Sequence, residues 1–574
     1  MLEKRWIRRE APHSVTEALC SGMGISHTVA NILVNRGITG IDHAERFLRS
    51  SLDDLHEPFL LPDMEKAVRR IIHAIRSGET IFVYGDYDAD GITATSLLVR
   101  FFQDIGKKAK YHIPKRLEEG YGITIGALEK IRADGASLVV TVDCGISSVV
   151  ELEAARAMGL DVIITDHHEP PEILPEALAV VNPRLPGCEY PFKGLAGVGI
   201  ALKLVQAINA GMAGKDKAGP GLDTSVLKYL DLVVLGTVAD VVPLRGENRI
   251  LVKHGLKILN ESRRVGIQKL KEVALVKGDN LSVGTIGYQM APRLNASGRL
   301  GEAGAGVRLL LTDDPEEAAE IAHGLEAMNR ERQKIEEKIL DDARSMIVCD
   351  PDYNYCSIVL HSSEWHQGVI GIVASRLVEE FYRPTVLVSM AGKVGKGSAR
   401  GIPGFNLYQG LEQCSGILEA FGGHKFAAGL SIKLENLGSF KEKFEEAVRN
   451  ALTPDDFVPW LRIDSEVRLK DLDWKVYSEI KSVSPFGPAN PEPVFESGPL
   501  QVMYPKIVGK NHVRMKLGQD GFAISSIAFN MGERYQGLAM KKVFINAAFT
   551  LSSSEWQGES TLQLNVRDIH FRQC

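Results

Sequence analysis

A regular alternation of short apolar strands and helical segments begins near residue 80, and it constrains the fold more than any other feature of the sequence. The strand-like runs are TIFVYG (80–85), KAKYHIP (108–114), LVVTVD (138–143) and DVIITD (161–166), and a helical pattern follows each of the first three. Such alternation predicts βαβ units and a parallel sheet. Right-handed crossovers then place the carboxyl end of every strand at one edge, where ligands of such sheets bind.

The chain is too long for one hydrophobic core, and its 574 residues divide into regions of different pattern. A highly charged run of helix formers, with Pro315 just inside its start, predicts a long helix that bridges two lobes. We expect five segments: helical residues 1–75, a parallel-sheet α/β domain at 76–312, the connecting helix at 313–347, a second α/β domain at 348–455 and a small all-β barrel domain at 456–574.

Four places concentrate residue types that bind metal ions, and three of them directly follow a predicted strand. They carry Asp86, Asp88 and Asp90 in GDYDADG, Asp143 in TVDCG, Asp166, His167 and His168 in TDHHE, and Asp240 in LGTVADVVPL. So many acids at one sheet edge would repel each other without bound cations. A mixed carboxylate and imidazole set suits Mn²⁺ or Mg²⁺. Two such ions about 3.5–4 Å apart would form a phosphoryl-transfer arrangement.

Each of these motifs also has an ordinary structural explanation. DYDADG could be a turn or a calcium loop, although Leu97 stands where an EF-hand has its last glutamate. An aspartate at a strand end often caps a helix. Asp240 could be a paired acid of the core, and one histidine of the pair could be purely structural. Their joint occurrence at one sheet edge favours the metal site.

The C-terminal segment adds a basic surface to a chain whose net charge is −6. In KNHVRMKL (510–517), a two-residue period puts Lys510, His512, Arg514 and Lys516 on one strand face. Residues 501–550 contain seven Lys or Arg and two acids. This suits a barrel that tracks a single nucleic-acid strand, with Tyr504 and Phe529 either stacking on bases or lying in the core. The alternative is an ordinary polar outer face.

The seven cysteines form no CxxC pair, which argues against a disulfide framework or a structural zinc site and favours a reducing cytoplasm. The start, MLEKRWIRRE, lacks the apolar region of a signal peptide. No stretch is long and apolar enough to predict a membrane span.

In their order and spacing, DYDADG, TVDCG, TDHH and GTVADVVPL resemble motifs I to IV of the DHH phosphoesterases. MAPRLNASGRLGEA (290–303) resembles a signature of the RecJ branch of that family. WHQGVIGIVASRL, KGSARGI and FGGHKFAAGL look like the companion DHHA1 domain, and SPFGPANPEPVF (484–495) looks like the start of an oligonucleotide-binding (OB) fold. The resemblance covers about residues 45–574. One departure is Ala489, which stands where the family commonly has the second glycine of Gly-x-Gly-Asn-Pro.

The resemblance implies an α/β fold with a parallel-sheet DHH domain and a DHHA1 domain joined by the long helix, followed by a C-terminal OB-fold. It implies a 5′-to-3′ exonuclease that is specific for single-stranded DNA, releases 5′-mononucleotides by two-metal hydrolysis and acts in DNA repair and recombination. Two other functions remain open: a small-molecule phosphatase or oligonucleotide phosphodiesterase, and a non-catalytic replication scaffold. Partners would be single-stranded DNA with a 5′ end, a single-strand-binding protein and a helicase, and the default oligomeric state is a monomer.

Carried onto this sequence, the resemblance assigns roles to individual residues. It implies that two Mn²⁺ or Mg²⁺ ions are held by Asp86, Asp88, Asp90, Asp143, His167 and Asp240, with Asp143 as the bridge. His168 would contact the scissile phosphate or orient a ligand, and Asp166 would support the histidine pair. Candidates for recognising the 5′ end are Arg116, Ser398 and Arg400, and candidates for binding other phosphates are Gly422, Gly423 and His424. Arg293, Asn295 and Arg299 would contact the strand or brace the metal site, while Lys510, Arg514 and Lys516 would follow the backbone.

Overall fold

A computed structural model describes residues 3–115, 119–120, 122–276, 281–301, 304–349, 355–540, 542–556 and 558–572. The chain forms two compact units. One comprises residues 1–49, 334–484 and 492–574, and the other comprises residues 50–333 and 485–491. Among the described residues, no helix combines the length and apolar character needed to cross a bilayer.

The N-terminal segment contains one strand that the sequence pattern did not predict. Strand β1 (Arg5–Arg8) pairs in parallel with β12 (Trp460–Ile463), and helices α1 (His13–Met23), α2 (His27–Asn35) and α3 (Ile41–Arg49) follow it. The expectation of a purely helical segment at 1–75 is therefore wrong for residues 5–8. The partner of this strand lies far away in the sequence, so no local periodicity could reveal the pairing.

The predicted parallel sheet is present, and it has five strands. They are β2 (Thr80–Gly85), β3 (Ala109–His112), β4 (Ala136–Val142), β5 (Asp161–Thr165) and β6 (Ala179–Val181), arranged β3-β2-β4-β5-β6 with every pair parallel. Helices α4 (Met64–Ser77), α5 (Ala89–Asp104), α6 (Ile125–Ala133) and α7 (Val149–Ala157) alternate with the first strands. Both sheet faces are covered, since Ile81 and Val83 belong to one buried cluster while Phe82 and Tyr84 belong to another.

A run of helices completes this unit on the face that carries the larger cluster. It comprises α8 (Gly197–Met212), α9 (Leu230–Ala239), α10 (Gly246–Glu261), α11 (Val265–Val273), α12 (Val283–Thr285), a π-helical turn at Ile286–Met290, α13 (Ala291–Leu300) and α14 (Gly304–Leu311). Helices α8 and α9 are almost entirely buried. Such all-round apolar helices form the interior of a large core.

The predicted long helix is present as α15 (Pro315–Val348), and a second α/β region follows it. Its five-stranded sheet has the order β10-β11-β9-β8-β7, in which only β7 and β8 are parallel. The elements are β7 (Ile358–Ser362), α16 (Ile370–Phe381), β8 (Thr385–Ala391), β9 (Val394–Arg400), α17 (Leu407–Glu412), β10 (Ala420–Gly423), β11 (Ala427–Lys433) and α18 (Leu437–Ala451).

The C-terminal region is the predicted all-β barrel. After β12, β13 (Ser465–Glu466) and α19 (Trp474–Val483) come β14 (Phe495–Val508), β15 (His512–Gln519), β16 (Phe522–Ala528), α20 (Tyr535–Leu538), β17 (Phe544–Trp556) and β18 (Glu559–Phe571). The strand order is β14-β15-β16-β18-β17, and an additional β14–β17 pairing closes the barrel. A closed five-stranded barrel of this kind is the architecture of an OB-fold.

Candidate metal and nucleic-acid site

The strand order of the parallel sheet creates a binding crevice between β2 and β4. From β2 the chain crosses to β3 on one side, and from β3 it returns past β2 to β4 on the other. Ligands of open parallel sheets bind at such a switch point, outside the carboxyl ends of the strands. Asp86 directly follows β2 and Asp143 directly follows β4, so the sheet itself brings these two carboxylates together.

The loop after β2 turns at once into helix α5, and its acids have different local tasks. Asp88 is the N-cap of α5 and accepts hydrogen bonds from the backbone amides of Asp90 (2.9 Å) and Gly91 (3.1 Å). Residue 91 must be glycine, because a Cβ there would lie 2.5 Å from the carbonyl oxygen of Asp86. The cap explanation is thus correct for Asp88, and it does not exclude metal binding, since a carboxylate has further lone pairs.

Asp90 is buried and is held by the start of another helix. Its carboxylate accepts hydrogen bonds from the backbone amides of Gly197 (2.7 Å) and Val198 (2.9 Å) in the first turn of α8. Gly197 also has to lack a side chain, because its Cβ would lie 2.7 Å from the Cβ of Asp143. The amino end of α8 therefore positions two of the predicted ligands.

Asp143, His167 and Asp240 meet although they come from three separate elements. The Nε2 atom of His167 lies 3.0 Å from Asp143 Oδ1 and 3.6 Å from Asp240 Oδ2. Asp240 reaches this point from the C-cap of α9. The two aspartate oxygens are buried, and neither receives a hydrogen bond from any described residue. Buried acceptors of this kind are costly unless an unseen partner satisfies them.

Burial and mutual repulsion shift the pKa values of these groups. Burial, followed by the charge of Asp88, raises the pKa of Asp90 to about 7. Burial and the carboxylates of Asp90 and Asp88 raise the pKa values of Asp143 and Asp240 well above the ordinary range. Burial lowers the pKa of His167 to about 3, and the charge of His168 adds to this effect. Crowded acids beside a neutral imidazole are what a bound cation would stabilise.

Asp166 orients the histidine pair from the end of β5. Its Oδ1 accepts from the backbone amides of His167 (2.7 Å) and His168 (3.1 Å) and lies 2.7 Å from the ring Nδ1 of His168. Its Oδ2 accepts from the backbone amide of Ile146 at 3.0 Å. Burial opposes a charge on His168, but the hydrogen bond and charge of Asp166 outweigh it and raise the pKa of His168.

The donor set fits divalent metal ions. Three overlapping groups each bring one ligand atom per residue within 4.8 Å: Asp86 with Asp88 and Asp143, Asp90 with His167 and Asp240, and Asp143 with His167 and His168. Carboxylates and imidazoles of this kind suit Mn²⁺ or Mg²⁺. We refer to these seven residues together as the acid cage. His168 is close enough to be a ligand itself, a role that the sequence did not assign to it.

Asn182 belongs to the site but was missed in the sequence. It is fully buried and directly follows β6, as Asp166 follows β5. Its Nδ2 donates to the carbonyl oxygen of His168 at 2.9 Å. The available signal was positional, because AVVN is another apolar strand with a polar residue at its carboxyl end.

One residue of the signature in α13 supports the start of α5, the helix that carries Asp90. Asn295 Oδ1 accepts from the backbone amide of Ala89 at 2.8 Å, at the start of α5. Arg293 instead forms an ion pair with Glu326 (2.7 Å). Arg299 lies in the last turn of α13. The remaining basic candidate of this unit, Arg116, lies outside the described residues.

The remaining predicted residues belong to the other compact unit. Ser398 and Arg400 lie on strand β9 and not in a turn, and the Arg400 guanidinium contacts the hydroxyls of Ser398 (3.1 Å) and Ser375 (3.2 Å). Gly423 ends β10 with φ +142°, and His424 follows it in an exposed position. Glycine is required at 423, because a Cβ there would lie 2.5 Å from the carbonyl oxygen of Ala427.

The basic face of the barrel is present where the period-two pattern predicts it. Along β15, Arg514 and Lys516 are exposed while Val513, Met515 and Leu517 are buried. Lys506 on β14 lies opposite Arg514 and extends the face, and His512 and Lys510 stand at its end. Tyr504 and Phe529 are 81% and 50% exposed, so neither belongs to the core. The ring of Phe529 contacts the ring of His512 edge-on, with centroids 5.2 Å apart.

Comparison with known proteins agrees with this architecture. Three family models match in order: the N-terminal domain of the DHH family at 80–237, the DHHA1 domain at 352–450 and the RecJ OB domain at 463–568. The single-stranded-DNA-specific exonuclease RecJ of Bacillus subtilis is 38% identical over 98% of this chain and 70% of its own length. RecJ of Escherichia coli is 35% identical over 94% of this chain and 95% of its own. The chain belongs to the RecJ family.

A solved RecJ structure extends the match to three dimensions. RecJ from Thermus thermophilus in complex with Mn²⁺ has a TM-score of 0.84 and 30% identity, and the match covers 99% of this chain and 80% of that one. A Mg²⁺ complex from the same organism matches with a TM-score of 0.78. The predicted fold class and the metal-dependent phosphodiesterase class are confirmed, and Mn²⁺ and Mg²⁺ are both ions that the family binds.

The raised pKa values predict how a metal ion affects stability. Between about pH 4 and pH 7 the folded, metal-free protein should bind more protons than the unfolded chain, so its stability should fall as pH rises through this range. The lowered pKa of His167 makes stability rise with pH, but it is outweighed by the raised pKa values of Asp90, Asp143 and Asp240. Mn²⁺ at 100 times its dissociation constant should raise the free energy of unfolding by about 2.7 kcal/mol. This corresponds to a rise in Tm of roughly 2–4 °C.

Thermal unfolding at pH 5 and pH 8, each with chelator and with Mn²⁺, measures this effect. We expect the gain from Mn²⁺ to be larger at pH 8, where the ion offsets the carboxylate repulsion. An equal gain at both pH values would mean that Mn²⁺ acts elsewhere on the protein.

Proposed function

We propose that this chain is an exonuclease specific for single-stranded DNA that digests from the 5′ end and releases 5′-mononucleotides in DNA repair and recombination. One observation carries the proposal: the acid cage at the switch point occurs in the same chain as a closed barrel with a basic strand face. The cage alone fits phosphodiester hydrolysis, while the barrel fits a polymeric substrate. The names of the family's curated relatives agree with this substrate.

Divalent metal ions would be held by Asp86, Asp88, Asp90, Asp143, His167 and Asp240. Asp143 would have the shared role, since it belongs to two of the three ligand groups. When bound, the ions supply the activation of water and the charge neutralisation that phosphodiester hydrolysis needs. The protein's own part is positional. The amides of α8 hold Asp90, and Asp166 presents the imidazole of His168 to a phosphate oxygen.

The DNA contacts follow from the basic and glycine-rich segments. Arg400 and Ser398 form a preorganised donor group that suits a terminal 5′ phosphate. Gly423 and His424 suit backbone phosphates, because glycine lets the chain approach closely. Arg514, Lys516 and Lys510 follow the strand along the barrel. The proposal keeps the expectation of a cytoplasmic, monomeric enzyme that receives single strands from a helicase or a single-strand-binding protein.

Two rival functions are weaker on specific grounds. A small-molecule phosphatase would share the acid cage but has no use for the exposed basic face of β15. A non-catalytic scaffold has no need of metal ligands, whereas every predicted ligand position here holds Asp or His. The exonuclease accounts for both features.

End-labelled digestion tests the proposal. Long single-stranded DNA labelled at the 5′ end, or alternatively at the 3′ end, is incubated with Mn²⁺, with Mg²⁺ or with chelator, and a blunt duplex serves as control. We expect early release of the 5′ label as a mononucleotide, dependence on metal, and resistance of the duplex. Absence of mononucleotide release would refute the exonuclease, and early release of the 3′ label would refute the polarity.

The barrel face makes a separate prediction for binding. The double variant Arg514→Ala/Lys516→Ala should weaken binding of all single-stranded sequences alike and reduce the slope of log K against log salt by about 1.4, since each lost phosphate contact contributes about 0.7. Lys443→Ala/Lys475→Ala, which removes two exposed lysines from helices α18 and α19, is the control. Fluorescence anisotropy across salt concentrations measures both, and equal slopes for the two double variants would remove β15 from the DNA path.

A further inference from the structure

The turn that follows β6 places an arginine beside the histidine pair. The buried side chain of Asn182 forms two hydrogen bonds. Its Nδ2 donates to the carbonyl oxygen of His168 at 2.9 Å, and its Oδ1 accepts from the backbone amide of Arg184 at 2.8 Å. A single fully buried residue therefore fixes where Arg184 leaves the backbone relative to His168.

The guanidinium of Arg184 does not use all of its N–H donors within the described part of the protein. One terminal nitrogen forms an ion pair with Glu169, whose side chain is 59% exposed while that of Arg184 is 30% exposed. The Nε atom of Arg184 is buried and has no hydrogen-bond partner among the described residues. Exposed ion pairs of this type contribute little net stability. A substrate phosphate could therefore take the place of the Glu169 carboxylate at small cost.

Two contacts place Arg184 beside the acid cage. Its guanidinium forms an ion pair with Glu169, the residue that directly follows His168. Its backbone amide is linked through the side chain of Asn182 to the carbonyl oxygen of His168. Arg184 therefore lies next to a residue of the cage. It brings positive charge to a place where anionic DNA has to approach many carboxylates.

We infer that Arg184 binds a non-bridging oxygen of a substrate phosphate beside the acid cage, and that Asn182 is its positioning residue. The inference rests on the proposed function, because it requires a phosphodiester substrate. A planar guanidinium offers parallel N–H groups that match two phosphate oxygens, which a lysine cannot reproduce. The inference also explains the two hydrogen bonds of Asn182, because they hold the backbones of Arg184 and His168 at a constant separation.

Substitution of Arg184 with a matched arginine as control tests the inference. Arg156 on α7 forms a similar exposed ion pair with Glu176 in the same unit, and it lies near Asp161 at the amino end of β5, the opposite sheet edge. The readouts are the KM for 5′-labelled single-stranded DNA and the inhibition constant of thymidine 5′-monophosphate. We expect Arg184→Ala to raise both on the order of 10-fold, as for loss of a hydrogen bond to a charged group. Arg184→Lys should recover part of the loss, and Arg156→Ala should change neither.

Two further variants keep the test decisive if Arg184→Ala folds poorly by circular dichroism. Glu169→Gln should lower the inhibition constant, because it frees the guanidinium, and Asn182→Ala should raise it. The inference is overturned if Arg184→Ala is indistinguishable from Arg156→Ala. It is also overturned if the single variants Glu169→Gln and Asn182→Ala both show the inhibition constant of the wild type. Failure of the wild-type protein to release nucleotides is a different result, and it refutes the proposed function.

Discussion

Asp143→Asn should reduce nucleotide release from single-stranded DNA on the order of 10³-fold, the upper range for loss of one preorganised electrostatic group. Asp143 is buried between the strands of the switch point, and its Oδ1 lies 3.0 Å from His167 Nε2. The substitution removes one negative charge from the centre of the acid cage and leaves the shape unchanged. It should therefore also remove the stabilisation by Mn²⁺, while single-stranded DNA still binds to the barrel.

Asparagine is the better substitution here because the backbone of Asp143 is left-handed, with φ +62°. Asparagine adopts this conformation readily, whereas alanine adds strain that could be mistaken for a catalytic effect. The matched control is Asp134→Asn, which removes an exposed carboxylate at the amino end of the same strand. Initial rates with 5′-labelled DNA measure the change. Activity of Asp143→Asn within a few-fold of Asp134→Asn would mean that the cage is not the active site.

Asp166→Asn should lower kcat/KM about 10- to 100-fold, the usual cost of removing a partner that orients a metal-site histidine. The Asp166 carboxylate lies 2.7 Å from the ring Nδ1 of His168 and accepts hydrogen bonds from three backbone amides. Asparagine keeps one acceptor but loses the charge that raises the pKa of His168, so this pKa should fall. Any limb of the pH profile that reports the protonated His168 should shift to lower pH.

The control for this variant lies on the same strand. Asp161→Asn changes the first residue of β5, which pairs with Arg70 at 2.6 Å at the other sheet edge. It removes an ion pair from the same unit without approaching the histidines. Profiles of kcat/KM against pH for both variants separate positioning from general destabilisation. A loss shared equally by the two variants would contradict the assigned role of Asp166.

The site was largely predictable because its residues follow strands. In parallel βαβ units every strand ends at the same edge, so Asp86, Asp143 and Asp166 could be brought together from the local pattern alone. The basic face of β15 was predictable for a similar reason, since a period of two puts alternate residues on one side. Asp240 was also a candidate from its residue type, but no strand pattern placed it at this edge, because it comes from the end of a helix.

Other parts of the site depend on contacts that no local pattern contains. The amides of Gly197 and Val198 hold Asp90, Asn182 holds His168, and Asn295 holds the start of α5. Each partner lies well over ten residues away in sequence and comes from a different element. The same is true of the β1–β12 pairing, which turned a segment predicted as helical into a strand.

Apart from β1, the sequence by itself determined the types of the main elements, the sheet edge that carries the acids, and the alternation of cations along β15, because these follow from periodicity and chain direction. Only the tertiary structure decided the strand order that opens the crevice between β2 and β4, the closure of the barrel by β14 and β17, and the hydrogen bonds that orient each ligand. The physical reason is range. Backbone geometry repeats over a few residues, whereas strand order and side-chain positioning depend on packing between elements that are distant in the chain.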